Sequence, residues 1–478
     1  MDIPMGSVGK QKKVTPLNAW ALSFACMIGW AAFVMPATVF LPTGGIVGSL
    51  LAFLLAAFAM GVVALNYHFL GNLYPDSGGI YPLVHRSLNR YHAFAAAWAM
   101  GLAHQCCVSL NARALGMLIR TILEEAFNWR FDVRIFGGSY YLLDACVVLI
   151  ALVFFGFINV RGLKQTVRIQ TAGAIVLLGG IVAMLAGAFF TSETPSASFT
   201  PAYAPGVSPF FGFTYIFILT PWAYVGFDSL SKLTSDLDFS VKRLGKIMLI
   251  SVLCGTFAYV ANIFTALLGM PSEYGSWPEY LAYLHTFSGI DGYPVALAAQ
   301  DAFGSFGIVI FFAAAIAATL TGLVGFFLSI SRLVYQMAED EALPTFLRRV
   351  HPTRGTPVNA IWTVVVLSLV LLALLNTFDA IEELASVATS VGYGYVSLCA
   401  LRKALEKRSR LYIATGLMGV LFCAFWIFFL LVPVPQVSAS ISAEGKIFLV
   451  IWIFAGITAY AFSRRKKRPF PTIDSQEV

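Results

Sequence analysis

The feature that most constrains this chain is a series of apolar runs, each about twenty residues long, that follow one another with little between them. A bilayer core about 30 Å thick takes about 20 helical residues to cross. The qualifying runs are Leu17–Leu41, Gly45–Leu70, His92–Ile122, Tyr140–Asn159, Thr166–Phe190, Phe210–Leu233, Ile247–Met270, Phe303–Tyr335, Val358–Asn376, Ile381–Leu401, Leu411–Leu431 and Ile447–Ser463. Backbone polar groups in hydrocarbon must be satisfied within the segment, so each run reads as a helix. Charged residues make up 12% of the 478 residues and apolar residues 59%, about half the charge of an ordinary soluble domain. That balance excludes a disordered chain, a disulfide scaffold and a soluble enzyme. The expectation is an all-α integral membrane protein with twelve transmembrane helices.

The basic residues test the count. With the N-terminus inside, the segments that fall on the inner side carry 26 of the 31 Lys and Arg, among them Lys232 at the inner end of the sixth run and Arg464–Arg468 at the tail. The outer segments keep Arg130, Arg134 and Lys446, and Arg113 and Arg120 lie in the third run. This bias predicts a multi-pass protein of the cell (inner) membrane with both termini cytoplasmic. It also accounts for the net charge of +7 as topology, so no nucleic-acid partner is expected. The longest polar stretches, Thr191–Pro209 and Pro271–Gly292, are too short for a soluble domain, and a short helix around Tyr293–Asp301 is expected at the membrane surface. The first run is too long for a cleavable signal and leads directly into the second. Cys26, Cys106, Cys107, Cys146, Cys254, Cys399 and Cys423 all fall in apolar runs without metal-ligand spacing, and read as small membrane-core residues.

Two runs are interrupted in the same way. The first contains Met27-Ile28-Gly29-Trp30-Ala31-Ala32-Phe33 and then Pro36; the sixth contains Pro221-Trp222-Ala223-Tyr224-Val225-Gly226-Phe227-Asp228. Five spans separate them, and an odd number inverts the second copy. Paired interrupted helices in inverted halves point to a transporter's central site. Unwinding frees N–H groups for a substrate carboxylate and C=O groups for its ammonium. A plain kink explains one such break, but not a matched pair.

Further motifs fall in order along the chain: Pro75-Asp76-Ser77-Gly78-Gly79-Ile80-Tyr81 after the second run, Asn159-Val160-Arg161-Gly162 with Lys164 after the fourth, and Gly226-Phe227-Asp228 in the sixth. Ser331-Arg332-Leu333-Val334-Tyr335-Gln336-Met337-Ala338 then closes on Leu343-Pro344, and Thr356-Pro357-Val358-Asn359-Ala360 opens the ninth. With these the chain resembles the amino acid–polyamine–organocation superfamily of permeases over most of 17–401. The resemblance implies a leucine-transporter-type fold: a ten-helix core at 17–401 built as a 5+5 inverted repeat, two additional helices at 402–463, and cytoplasmic tails at 1–16 and 464–478. It also implies alternating access to an amino acid, held at the unwound centres of helices one and six. The sequence departs from the family's usual G-S-G in helix one, where it has Gly29-Trp30-Ala31, and it has Leu177 near the position where proton-coupled relatives often carry a lysine.

The expected substrate-binding residues are Met27, Gly29, Trp30, Ala31, Ala32, Trp222, Ala223, Tyr224, Val225, Gly226 and His104. For His104 a structural hydrogen bond to a neighbouring helix is the competing reading. Asp228, an acid at membrane depth directly after a break, is the coupling candidate, with a structural hydrogen bond equally open. By the resemblance Trp222 covers the bound substrate, and Thr319 and Thr321 are weak candidates for a sodium site, Thr being ordinary helix–helix glue as well. Arg113 and Asp144 suggest a structural pair. Glu382 and Glu383 open helix ten, where negative charge suits the dipole, and receive no other role. No metal, cofactor or catalytic residue is expected, no enzyme motif is present, and the coupling ion is H+ or Na+. Partners are a small amino acid and membrane lipid, with the oligomeric state open. The alternative is an amine or polyamine permease, or an amino acid/amine exchanger, which needs several acids at the site where only Asp228 is obvious.

Overall fold

The computed structural model describes residues 14–75, 78–127, 132–135, 138–192, 198–287, 289–375, 377–435, 437 and 439–464. The helices are α1 (Pro16–Met27), α2 (Ala31–Met35), α3 (Leu41–Leu73), α4 (Ile80–Ser87), α5 (Arg90–Phe127), α6 (Leu142–Arg161), α7 (Leu163–Thr191) and α8 (Pro209–Ala223). Then follow α9 (Leu244–Leu268), α10 (Trp277–Ala282), α11 (Pro294–Phe303), α12 (Ser305–Glu339), α13 (Val358–Leu374), α14 (Phe378–Glu406), α15 (Arg410–Leu431) and α16 (Ala443–Arg464). Among the described residues ten helical stretches are long and apolar enough to cross a membrane, and α13 adds a shorter one of 17 residues. The first crossing comes in two pieces, α1 and α2. Twelve crossings result, and the start of α1 and the end of α16 fall on one side, called here the terminal side. The expectation of helix alone needs one addition. Asp132–Ile135 and Gly138–Tyr141 form a two-stranded antiparallel hairpin between α5 and α6.

Which helices touch follows one rule. Exchanging the first five crossings for the next five maps several of the main packed pairs onto other packed pairs. So α1 on α7 matches α8 on α14, α1 on α9 matches α8 on α3, and α5 on α14 matches α12 on α7. Likewise α5 on α6 matches α12 on α13, and α3 on α14 matches α9 on α7. The last two crossings lie outside this pattern, α15 against α14 and α3, and α16 against α14 and α5. Lipid is as apolar as leucine, so packing and interhelical hydrogen bonds hold these helices together. Trp98 and Trp452 clasp α5 to α16, each indole N–H donating to the other's carbonyl at 2.9 and 3.2 Å. Gln105 donates to Ser368 at 2.5 Å, tying α5 to α13, and Trp426 ties α15 to the Phe217 carbonyl of α8 at 2.9 Å.

The breaks form where the sequence denies a continuous ladder. α1 starts on a capping box between Thr15 and Asn18 and ends at Ile28, whose backbone is extended. After α2, Pro36 brings no N–H and opens a π-turn over Pro36–Phe40. In the sixth crossing, Pro221 stands inside α8 and Gly226 takes φ +119°, after which Phe227–Asp236 continues as a 3₁₀ helix. Gly226 is required there twice over: its φ is left-handed, and a Cβ would come within 2.6 Å of the Cys26 Cβ on α1. The two breaks therefore meet backbone to backbone at the centre of the protein.

Candidate functional site

A cavity of about 220 Å³ opens between the breaks. At roughly 30 Å³ per water it has room for about seven waters, enough for one amino acid. Of the residues expected to bind substrate, Met27, Gly29, Trp30, Ala31, Trp222 and Val225 line it. Cys26, Val34, Met35, Cys107, Met117 and Phe326 add an apolar and sulfur-rich wall, and Asn111, Thr38, Asp379 and Glu382 are its remaining polar side chains.

Its backbone walls have opposite polarity. Beyond the end of α1, among the described residues, no protein acceptor meets the N–H groups of Gly29, Trp30 and Ala31, whereas Ala32 already donates to the Gly29 carbonyl at 3.1 Å. At the sixth break no protein donor reaches the carbonyl of Val225, a lining residue there, among the described residues, while the Gly226 N–H is held by Asp228 at 3.3 Å. Buried unpaired backbone groups are expensive, and a zwitterion supplies both missing partners: a carboxylate for the N–H groups, an ammonium for the Val225 carbonyl.

The other expected residues stand outside the lining. Ala32 presents its carbonyl to Asn262 Nδ2 at 2.8 Å. Ala223 packs into the helix interface beside Phe53. The Tyr224 hydroxyl points away, to Thr256 at 2.8 Å and the Phe53 carbonyl at 3.3 Å. Trp30 is nearly buried, with its ring edge-on to Tyr293 at 5.1 Å and Phe311 at 6.0 Å, so it wedges helices apart while one side faces the cavity. Trp222 is half-buried.

His104 and Asp228 belong to a different cluster, on the terminal side of the breaks. Lys232 Nζ donates to Asp228 Oδ2 at 3.0 Å and to Ser329 at 3.3 Å, and lies 3.2 Å from His104 Nδ1. His104 Nε2 is 3.5 Å from the same carboxylate, and Tyr393 donates to its other oxygen at 3.2 Å. A neutral ring protonated on Nε2 accepts from the lysine and donates toward the acid. All three charged or chargeable groups are buried. Lys232, which by sequence counts as an inner-surface cation, is 3% exposed and is the cluster's counter-ion. Its spacing of four residues from Asp228 was the available signal.

The motif residues beyond it close the terminal side further. The Gly79 N–H donates to the Ser231 carbonyl at 2.9 Å, Gln336 to the Gly78 carbonyl at 2.9 Å, and Arg332 to Asp236 at 2.6 Å. Thr321 reaches the Ala25 carbonyl at 3.3 Å and thereby joins α12 to α1, while Thr319 bonds within its own helix. On the far side, Asp144 accepts from Arg120 at 3.0 Å, and Arg113 lies over the Phe378 ring at 4.7 Å.

Residues 14–459 match the family described as amino acid permease. The chain belongs to that family. It is similar to the branched-chain amino acid permease BcaP of Bacillus subtilis, 23% identical with 96% of this chain and 95% of that protein covered. It is 24% identical to BcaP of Lactococcus lactis, with 95% of each covered. The large neutral amino acids transporter small subunit 2 of Mus musculus is 23% identical, with 89% of this chain and 77% of that protein covered. Membership makes this amino acid permease a multi-pass transporter of the amino acid–polyamine–organocation superfamily, and not an enzyme. The cavity described above is thus the place to look for its amino acid.

Proposed function

We propose that the protein is a secondary transporter that carries amino acids across the cell membrane by alternating access, the zwitterion bridging the two breaks. The observation that carries this is the cavity bounded by unpaired N–H groups on one wall and the unpaired Val225 carbonyl on the other. An amine without a carboxylate leaves the first set unmatched, which favours amino acids over amines. In this reading the ten-helix core at 17–401 does the moving and the two helices at 402–463 brace it, with the terminal side in the cytoplasm. The present state is then outward-open. The Asp228–Lys232–His104 cluster must part for the inward state, which makes a proton the coupling ion this arrangement supports best. Sodium, at Thr321 and the unwound first crossing, has to displace a hydrogen bond already made there.

Counterflow tests the reading. Purified protein in liposomes loaded with an unlabelled amino acid mixture should accumulate trace labelled amino acid transiently and saturably. Uptake that merely equilibrates, or none with any of the twenty amino acids, overturns it.

A further inference from the structure

The acids of α14 decide what kind of amino acid fits. Asp379 and Glu382 are three residues apart, hence on one helix face, and both line the cavity. Asp379 is exposed at the mouth and Glu382 is half-buried one turn deeper. No Lys, Arg or His lines the cavity among the described residues. The adjacent Glu383 has a partner, accepting from the Ser442 N–H at 2.8 Å. Among the described residues no hydrogen bond or ion pair ends on Asp379 or Glu382, and Arg113 of α5 lies over the neighbouring Phe378 ring.

We propose that Glu382 receives a positively charged substrate side chain, with Asp379 as its first contact at the mouth, so that this permease takes dibasic amino acids. The proposal rests on the transport reading above and names its substrate class. The zwitterion's own charges are met by the two breaks, which leaves Glu382 as the one deep acid lining the cavity without a partner among the described residues. A carboxylate stripped of water in an apolar pocket is costly unless it is paired, and an ammonium or guanidinium supplies a charge-assisted hydrogen bond. A branched aliphatic side chain in the same space covers the carboxylate and gives nothing back. Specificity is the difference between those two outcomes. The curated relatives named for branched-chain and large neutral amino acids are therefore a guide to the fold and not to this pocket.

The test uses the full-length protein in liposomes with labelled lysine and labelled leucine, and the same ligands titrated against intrinsic tryptophan fluorescence, because Trp30 and Trp222 line the cavity. Lysine should bind more tightly than leucine. Glu382→Gln should raise the half-saturating lysine concentration about tenfold or more relative to that of leucine. Glu382→Asp keeps the charge on a shorter arm and serves if the amide variant does not insert; it should weaken lysine more than leucine. Leucine bound better than lysine by the parent, or an equal change for both ligands in the variants, overturns the proposal and leaves the transport reading standing. Failure of both ligands and of every other amino acid brings down the transport reading and this proposal with it.

Discussion

The two sides of the breaks are built on opposite principles. On the far side, polar groups face an open cavity and lack protein partners among the described residues: the N–H groups of Gly29 to Ala31 and the carboxyl groups of Asp379 and Glu382. On the terminal side, among the described residues, the acids and cations next to the sixth break pair with one another. Asp228, Lys232 and His104 satisfy one another, Arg332 holds Asp236, and Gln336 and Ser231 hold the Gly78-Gly79 turn. Unmet hydrogen-bonding capacity marks where a ligand goes, and met capacity marks a closure. Alternating access asks that the two exchange, so the paired side has to be openable and the open side closable.

The largest effect expected is from Gly226→Leu. It forces an L-residue into φ +119° and drives a Cβ into Cys26, where the breaks touch. Folded protein in the membrane should fall sharply, as fluorescence-detected size exclusion will report. Gly29→Leu is the contrast: a Cβ there meets only Asn111 Oδ1, at 3.4 Å, so the variant should insert normally and lose uptake because its side chain fills the cavity. If Gly226→Leu inserts like the parent, the breaks are not in the contact described.

Next comes the buried cluster. Asp228→Asn leaves Lys232 charged and without its acid, which should cost about 3–5 kcal/mol of stability. Detergent melting curves measure this, and the double variant Asp228→Asn/Lys232→Met should recover more than half of the loss. A single variant as stable as the parent means that the pair contributes no closure. Trp30→Ser acts on the opposite side. It gives up two edge-to-face contacts, about 0.5–1.5 kcal/mol each, and widens the cavity. Competition of uptake by amino acids of increasing size should shift toward larger ones. An unchanged ranking at equal membrane protein reduces Trp30 to a wedge against Tyr293 and Phe311.

Most of the fold was legible because it depends on periodicity and charge bias, which a bilayer reads directly. The breaks were legible because Gly29, Pro36, Pro221 and Gly226 break helices on their own. The misreadings have a common cause: sequence gives depth along a helix but not which face turns inward. Lys232 looked interfacial by its position near the end of an apolar run, yet the 3₁₀ helix turns it toward Asp228. Glu382 looked like the start of a helix that in fact begins at Phe378 on a Thr377 cap. That displacement of one turn carries it from the helix entrance to the cavity wall. Asn111, packed against Gly29 and lining the same cavity, carried no signal of its own among the polar residues of a long helix.

The smallest effect tests whether the terminal-side closure is a set of latches or a single plug. Arg332 donates to Asp236 at 2.6 Å and to the Lys232 carbonyl at 3.3 Å, so it crosses from α12 to the 3₁₀ helix below the sixth break. Both ends of the ion pair are partly exposed, and water screens such pairs, so removing it should cost about 1 kcal/mol or less. Stability is therefore the wrong readout. Cys26 and Cys107 line the cavity, and a water-soluble thiol reagent applied from the terminal side reaches them only when that side opens. In Arg332→Ala their labelling from that side should speed up about fivefold, the shift that 1 kcal/mol allows for a minor state, while labelling from the far side, set by the majority state, hardly changes. If both rates stay at the parental values, Arg332 is surface trim and the closure rests on Lys232 alone. If labelling speeds up equally from both sides, the variant loosens the helix packing as a whole, and Arg332 is not a latch of the terminal side alone.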